Sequence, residues 1–352
     1  MANGILLYGA NGYTGELTAR LAREQGVELV LAGRNAAAVA EVARRHGMEH
    51  RAFPLDDAAA LERGLDGIAA VLHCAGPFSG TSRPMVDACL RTRTHYLDVT
   101  GEVDVFEAIA ARDAEALAAG VMLLPGSGFD VVPSDCLAAH LARRLPQADW
   151  LELAILGLTN VSHGTALSVL EGFGRDALVR RGGRLVGVPL GSIRRDIDYG
   201  DGRARPSVAI PWGDLSTAYR STRIPNVTTY AAVPGHATAL ALRLVGRAPW
   251  LLGSGLVKRP LRAAIERRGR GPDDAARARG FGRVWGEARA RGGERVAATL
   301  RTPEVYTFTA LAALRLAQRA TGGDAPPGFQ TPASAYGPDF VLEIPGVARS
   351  DA

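Results

Sequence analysis

The sequence predicts an α/β protein: an N-terminal doubly wound parallel sheet, then a second α+β domain containing a mostly antiparallel sheet. Three observations carry that expectation. Short apolar runs alternate with amphipathic stretches from the N-terminus to about Leu145, the rhythm of parallel βαβ units. A glycine-spaced turn, Gly9-Ala-Asn-Gly12-Tyr-Thr-Gly15, joins the first strand to the first helix. After Pro146 the rhythm gives way to longer strand-like runs and a Gly/Pro-rich zone.

In order, the predicted strands of the first domain are Ile5–Tyr8, Glu28–Ala32, Arg51–Pro54, Ala69–Cys74, His95–Asp98 and Val121–Leu124. The helices between and after them are Thr14–Glu24, Ala36–Arg45, Ala58–Gly64, Arg83–Leu90, Val105–Ala118 and Ser134–Arg144. Beyond them come a strand over Trp150–Leu158, a helix over His163–Arg180 and the Gly/Pro-rich zone to about Asp214. Strands follow at Thr228–Val233, Gly282–Arg289 and Arg295–Arg301, the last two joined by a turn at Arg291-Gly-Gly293. A final helix, Tyr306–Arg319, and the segment Thr331–Ile344 are expected to pack back on the first domain. The domains expected are therefore residues 1–145, 146–304 and a C-terminal 305–352.

Composition excludes several function classes. With 41 Lys and Arg against 36 Asp and Glu, the chain carries +5, but without a basic stripe interleaved with aromatics that would mark a nucleic-acid binder. No apolar run approaches the about 20 residues of a membrane helix. The N-terminus lacks a basic n-region, so a cytoplasmic protein is expected. Cys74, Cys89 and Cys136 form no Cys-x-x-Cys pair and read as thiols of a reducing compartment. His46 and His50 have the spacing of metal ligands, but Gly47 between them ends a helix, and no metal site is expected.

The glycine turn has a specific physical demand behind it. Gly9 lets the chain turn sharply, Gly12 lets backbone N–H groups approach a pyrophosphate, and Gly15 lets the helix pack close to the strand. The helix N-terminus adds partial positive charge, and Asn11, Tyr13 and Thr14 lie in the same loop. In this context the first domain is a Rossmann dinucleotide-binding domain. The second strand leads to Gly33-Arg34-Asn35, where an NAD site usually carries a carboxylate. Arg34 instead suits the 2′-phosphate of NADP(H). Asp56 either receives the adenine amino group or caps the next helix.

The chemistry belongs at the carboxyl ends of the strands. Three further loops reach that edge: Ala75, Gly76, Pro77 and Phe78; then Asp98, Thr100, Gly101 and Glu102; then Gly126–Asp130, with Ser134 and Asp135 just beyond. The first two loops supply cofactor contacts from Ala75–Phe78, Thr100 and Gly101. Hydride transfer also needs a proton source; the candidates are Tyr96, Glu102 and Asp130, or water alone. Each has a structural alternative: Asp98 and Asp135 as helix caps, Tyr96 as a core residue with its hydroxyl bonded. The Tyr-x-x-x-Lys pair of short-chain dehydrogenases is excluded, because the single lysine is Lys258 and Ser254 stands four residues before it.

These motifs together resemble the saccharopine dehydrogenase-like NADP-binding family, which includes trans-acting enoyl reductases. The segments that carry the resemblance are Tyr8–Gly15, Ala32-Gly-Arg34, Cys74-Ala-Gly-Pro-Phe78, Tyr96-Leu-Asp-Val-Thr-Gly-Glu102 and Gly126-Ser-Gly-Phe-Asp-Val-Val-Pro-Ser-Asp135. Gly271-Pro-Asp-Asp274 and Phe281-x-x-x-Trp285-Gly-Glu287 add to it. The resemblance implies NADPH as cofactor and reduction of an activated C=C bond in an acyl or polyketide-like substrate, free or carrier-bound. Its alternatives are a saccharopine-type imine or secondary-amine oxidoreductase, and a non-catalytic NADP(H)-binding sensor. A homodimer fits the second domain. The basic stretch Arg243–Arg291, with Arg247, Lys258, Arg259, Arg262, Arg267, Arg268 and Arg270 beside the apolar Trp250–Leu256, reads as a solvated helix face or as a docking surface for an acidic carrier or an anionic headgroup.

Overall fold

A computed structural model of the chain describes residues 4–157, 162–172, 174–247, 254–267 and 271–352. Arg268, Arg270 and residues 250–253 of the apolar run lie outside them. The chain forms two compact units, Met1–Val132 with Tyr306–Tyr336, and Pro133–Val305 with Gly337–Ala352. The sequence placed one boundary at Leu145 and kept 305–352 together; the chain instead changes units at Val132 and divides that C-terminal stretch between them. Among the described residues no helix is long and apolar enough to cross a membrane.

The first unit is laid down as β1 (Gly4–Tyr8), α1 (Tyr13–Glu24), β2 (Leu29–Gly33), α2 (Ala36–His46), β3 (Glu49–Ala52), α3 (Ala58–Gly64), β4 (Ile68–His73), α4 (Phe78–Thr92), β5 (His95–Asp98), α5 (Val103–Ala110), α6 (Asp113–Ala119) and β6 (Met122–Leu124). Leu6, Leu7, Leu31, Val71, Leu72 and Leu97 are fully buried. Such apolar strands covered on both faces are the mark of a parallel sheet. Helix boundaries follow local chemistry. The Asn35 side chain accepts from Ala38 N to start α2, and Gly47, at φ 66°, ends it. That left-handed turn separates His46 from His50, which lies on β3. The single helix expected over Val105–Ala118 is two, α5 and α6. At the break Arg112 pairs with Asp87 at 2.6 Å and with Glu115.

Helix α7 (Val132–Arg144) leads into the second unit: β7 (Trp150–Leu156), α8 (His163–Gly172), β8 (Ala177–Arg181), β9 (Arg184–Val188), β10 (Arg194–Asp198), β11 (Ala204–Ala209), α9 (Asp214–Thr222), β12 (Asn226–Ala232), α10 (His236–Val245), α11 (Gly255–Glu266), α12 (Asp274–Arg279), β13 (Phe281–Arg289) and β14 (Arg295–Pro303). The chain then runs through α13 (Val305–Thr321), β15 (Gly328–Phe329), α14 (Pro332–Tyr336) and β16 (Ala348–Asp351).

The first sheet has the order β15-β6-β5-β4-β1-β2-β3, all parallel. The order reverses between β1 and β4, so the crevice between their carboxyl ends is the topological switch point. The second sheet runs β10-β11-β12-β7-β13-β14-β16, with β8 on β12 and β9 on β8. Within it β12 and β7 pair parallel and the other pairs are antiparallel. The helix expected over His163–Arg180 ends at Gly172, and Ala177–Arg181 is a strand. Gly182 and Gly183 both take positive φ and turn that strand into a hairpin with β9. The Gly/Pro-rich zone likewise holds β9, β10 and β11.

The second unit carries a partly buried ion network on its sheet. Glu152 of β7 and Glu287 of β13 stand directly opposite in register. Arg195 of β10 takes Glu287 in a two-point fork at 3.0 and 3.1 Å, pairs with Glu152 and lies 4.6 Å over the Trp285 ring. The Tyr230 hydroxyl donates to Glu152 at 2.7 Å. Beside it Ala154, Ile197, Tyr199, Ala209, Tyr230 and Trp285 form an apolar cluster, so residues of β10 and β11 pack over the central strands.

Candidate functional site

The site is built on the carboxyl edge of the first sheet. Gly9 takes φ +87°, and a Cβ there would lie 2.8 Å from Ala75 N, so the β1 turn passes directly under the β4 loop. Its carbonyl accepts from Gly12 N at 2.9 Å. A Cβ on Gly15 would sit 2.3 Å from that same oxygen, which is why α1 can approach the strand only with glycine there. Gly12 is extended and exposed, and no side chain caps α1. The acidic residue of the first turn, Glu16, is paired with Arg45. The helix N-terminus therefore keeps its positive end turned to a ligand. Tyr13 and Thr14 open α1, and Asn11 sits partly buried, its Oδ1 near where a Gly33 Cβ would stand, at 3.3 Å.

At the end of β2, Arg34 is exposed. Burial pushes the Tyr8 phenol up to about 12, with Arg34 opposing the rise and Asp56 adding to it. Both charges thus lie near one spot at the strand ends, where Tyr8 donates to Phe53 O at 2.9 Å. The helix that Asp56 was a candidate to cap is capped by its neighbour: Asp57 accepts from Ala60 N at 2.9 Å. Asn35, expected at the cofactor, spends its side-chain oxygen on α2.

The β4 loop, Ala75-Gly76-Pro77-Phe78, is pinned by Thr81, whose hydroxyl donates to Ala75 O at 2.6 Å. Pro77 has no side chain to cap α4, and Glu102 supplies the missing acceptor from the next loop. Its two oxygens accept from Phe78 N and Ser79 N at 3.0 and 2.9 Å. Thr100 accepts from Glu102 N at 3.1 Å. Asp98, fully buried, accepts from Thr100 N, Gly126 N and the Tyr96 hydroxyl at 3.0, 2.9 and 2.7 Å. It ties the β5 and β6 loops together. Burial raises it to about 6 despite those donors. Tyr96 is fully buried, and burial first, then Asp98, holds its phenol well above the ordinary range.

Asp130 differs from the other candidate acids. It closes the β6 loop, is half-buried, and desolvation raises it to about 7. Gly101 leaves room for it: a Cβ there would lie 3.0 Å from its Oδ2. Ser134 and Asp135 are committed elsewhere, fully buried in the second unit, where Ser134 donates to Asp214 at 2.7 Å and Asp135 accepts from Ser221 at 2.6 Å. They fasten α7 to α9. Asp98 and Asp135 thus each accept a hydrogen bond from a residue far along the chain, Gly126 and Ser221.

Two features escaped the sequence reading. His73 ends β4 fully buried among Tyr8, Phe78 and Tyr96, with no partner among the described residues for either ring nitrogen; its one signal was a polar residue closing the run Val71-Leu72-His73. Burial lowers its pKa to about 3. The second is where α13, expected to pack on the first domain, makes contact: its first turn meets this edge, with Tyr306 edge-on to Tyr13 at 5.0 Å and Thr309 accepting from Phe129 N at 3.0 Å. Nothing near residue 309 in the sequence marks that role.

Residues 5–124 match the family model of the saccharopine dehydrogenase NADP binding domain. The chain is 36% identical over 149 residues to the trans-acting enoyl reductase of Mycobacterium leprae, covering 40% of this chain and 36% of that protein. It is 32% identical over 158 residues to the trans-acting enoyl reductase of Mycobacterium ulcerans, covering 43% and 38%. The matched part therefore spans little more than a third of these relatives' lengths. Saccharopine dehydrogenase (L-Glu forming) from Saccharomyces cerevisiae superposes with a TM-score of 0.67 at 14% identity, over 99% of this chain and 100% of that one. That likeness shows a shared fold.

Proposed function

We propose that the chain is an NADPH-dependent oxidoreductase that reduces the activated C=C bond of an acyl thioester, free or carrier-bound. The observation that carries the reading is a half-buried carboxyl group, Asp130, raised to about 7 on the same sheet edge as an uncapped glycine turn. The named relatives support the choice of C=C over C=N.

The residues present fit the cofactor. The bare N-terminus of α1 with Gly12 would face the pyrophosphate, and Arg34 would pair with the 2′-phosphate. Ala75–Phe78, Thr100 and Gly101 would line the path of the nicotinamide half. When bound, NADPH would supply the hydride for the β-carbon of the enoyl group. Asp130 then gives its proton to the α-carbon, which balances the reduction and leaves a carboxylate that is re-protonated from water. A carboxyl near pH 7 is half-protonated at neutrality, the condition for efficient general acid catalysis. Glu102 and Tyr96 support that chemistry from behind: Glu102 holds the β4 loop by two backbone N–H groups, and Tyr96 holds Asp98.

The test is NADPH consumption with enoyl thioesters against keto acid plus amine. Turnover is expected with the thioesters alone, with kcat falling as pH rises through about 7 as the Asp130 proton is lost. Asp130→Asn should lower kcat by roughly 100-fold, abolish that pH limb and leave the Kd for NADPH unchanged. Turnover with keto acid and amine, or a variant with undiminished kcat, would overturn the assignment.

A further inference from the structure

We infer that the first turn of α13 is a positioning element that couples the dinucleotide loop to the loop carrying Asp130. One side of the turn meets α1: Tyr306, buried, lies edge-on to Tyr13 at 5.0 Å with the rings at 86°. Tyr13 opens α1, one residue after Gly12. The other side meets the β6 loop twice. Thr309 Oγ1 accepts from Phe129 N, a contact spanning 180 residues of sequence. Phe308, fully buried, lies edge-on to the Phe129 ring at 5.9 Å. The fit is close enough to dictate the residue opposite: a Cβ on Gly128 would stand 2.7 Å from the Thr309 methyl. Phe129 immediately precedes Asp130.

A phosphate group settling on the N-terminus of α1 therefore presses on Tyr13, and through Tyr306 on the turn that holds the Phe129 amide. Edge-to-face aromatic contacts transmit such a shift because ring packing tolerates little lateral slip. Gly126 adds to the stiffness of the receiving loop: it takes φ +78°, and a Cβ there would lie 2.8 Å from both Phe106 and Val131. The β6 loop thus has few ways to respond except as a unit.

The inference rests on the proposed function only for what Asp130 does; the coupling is read without turnover. Amide hydrogen exchange is measured on the full chain, with and without NADPH. In the wild type, NADPH should slow exchange in 9–15, in 306–312 and in 126–131. Thr309→Val removes the acceptor for Phe129 N, so exchange in 126–131 should rise about 5-fold and lose its response to NADPH, while 9–15 keeps its own. Thr309→Ser should restore the wild-type pattern. Tyr306→Ala should weaken NADPH binding several-fold and uncouple 126–131; Tyr306→Phe, which keeps the ring, should do neither and serves as the comparison if the alanine variant folds poorly. Protection of 9–15 without protection of 126–131 in the wild type overturns the inference, as does an undiminished response in Thr309→Val. Absence of protection even at 9–15 overturns the proposed function and the inference with it. Loss of enoyl turnover with the exchange pattern intact overturns the proposed function alone.

Discussion

The two units solve the problem of buried polar groups in opposite ways. On the first sheet's edge two of the acids are satisfied mainly by main chain: Asp98 takes two backbone N–H groups and Glu102 takes two more. On the second sheet, Glu152 and Glu287 face each other in register and are satisfied by side chains, Arg195 of a distant strand above all, with Arg289 of β13 beside both. An edge that must receive a ligand gains from main-chain anchoring, since it fixes the loops and leaves the helix N-terminus for the ligand. A sheet that must hold a folded-over hairpin gains from a cation that binds several strands at once.

A large effect should come from breaking the second arrangement. Arg195→Met leaves Glu152 and Glu287 opposed with Arg289 beside them at 3.7 and 3.5 Å, and a loss of about 2 kcal/mol in unfolding free energy is expected. Adding Glu152→Gln and Glu287→Gln should return most of it, because the opposed charges that Arg289 alone must balance, and not the lost ion pair, carry the cost. Urea titration of the wild type, the single and the triple variant checks this; no recovery in the triple variant would mean that Arg195 acts through its packing on Trp285. In the first unit the corresponding weak point is steric. Gly15→Ala forces a Cβ to within 2.3 Å of Gly9 O and should cost about 2 kcal/mol, together with most of the affinity for NADPH. Calorimetry and cofactor titration separate the two losses.

A smaller effect runs the other way. Among the described residues, His73 is buried on that edge with neither main chain nor side chain bonded to its ring nitrogens. His73→Leu should stabilise the chain by about 1 kcal/mol at neutral pH. The gain should grow as pH falls. The folded imidazole is depressed from 6.5 to about 3, so the unfolded wild type takes up a proton that the folded one refuses, and wild-type stability is lost from about pH 6.5 downward. The raised acids Asp98 and Asp130 work in the opposite sense, losing stability as pH rises, but they are common to both proteins and cancel in the difference. A pH-independent difference between the two would show that His73 is hydrated or otherwise satisfied.

This contrast also explains what was legible in the sequence. Gly9, Gly12 and Gly15 announce their roles because a positive φ and a close backbone approach can be met by almost no other residue. Candidate acids were legible only as a group. Tyr96, Glu102 and Asp130 look alike in a strand-end motif; what separates them is that Asp98 and the α4 N-terminus occupy the first two. Asp56 and Asp57 are adjacent, and only the cap geometry shows which one serves α3. The strand Ala177–Arg181 was read as helix because its apolar residues extended a helical pattern, whereas the Gly182-Gly183 turn and its cross-strand partner decide otherwise. Thr309 and Arg195 could not be found at all, since their partners lie 180 and 92 residues away.

The most direct test of the account is a pair of equilibrium titrations, NADPH and NADH, on the wild type and on Arg34→Asp. The wild type should bind NADPH more tightly by roughly 10-fold or more, the scale of a charge-assisted phosphate contact, and Arg34→Asp should lose that advantage while its Kd for NADH stays within about 2-fold. Equal weakening toward both cofactors, or a wild type that favours NADH, would contradict the assignment of this edge to NADP(H).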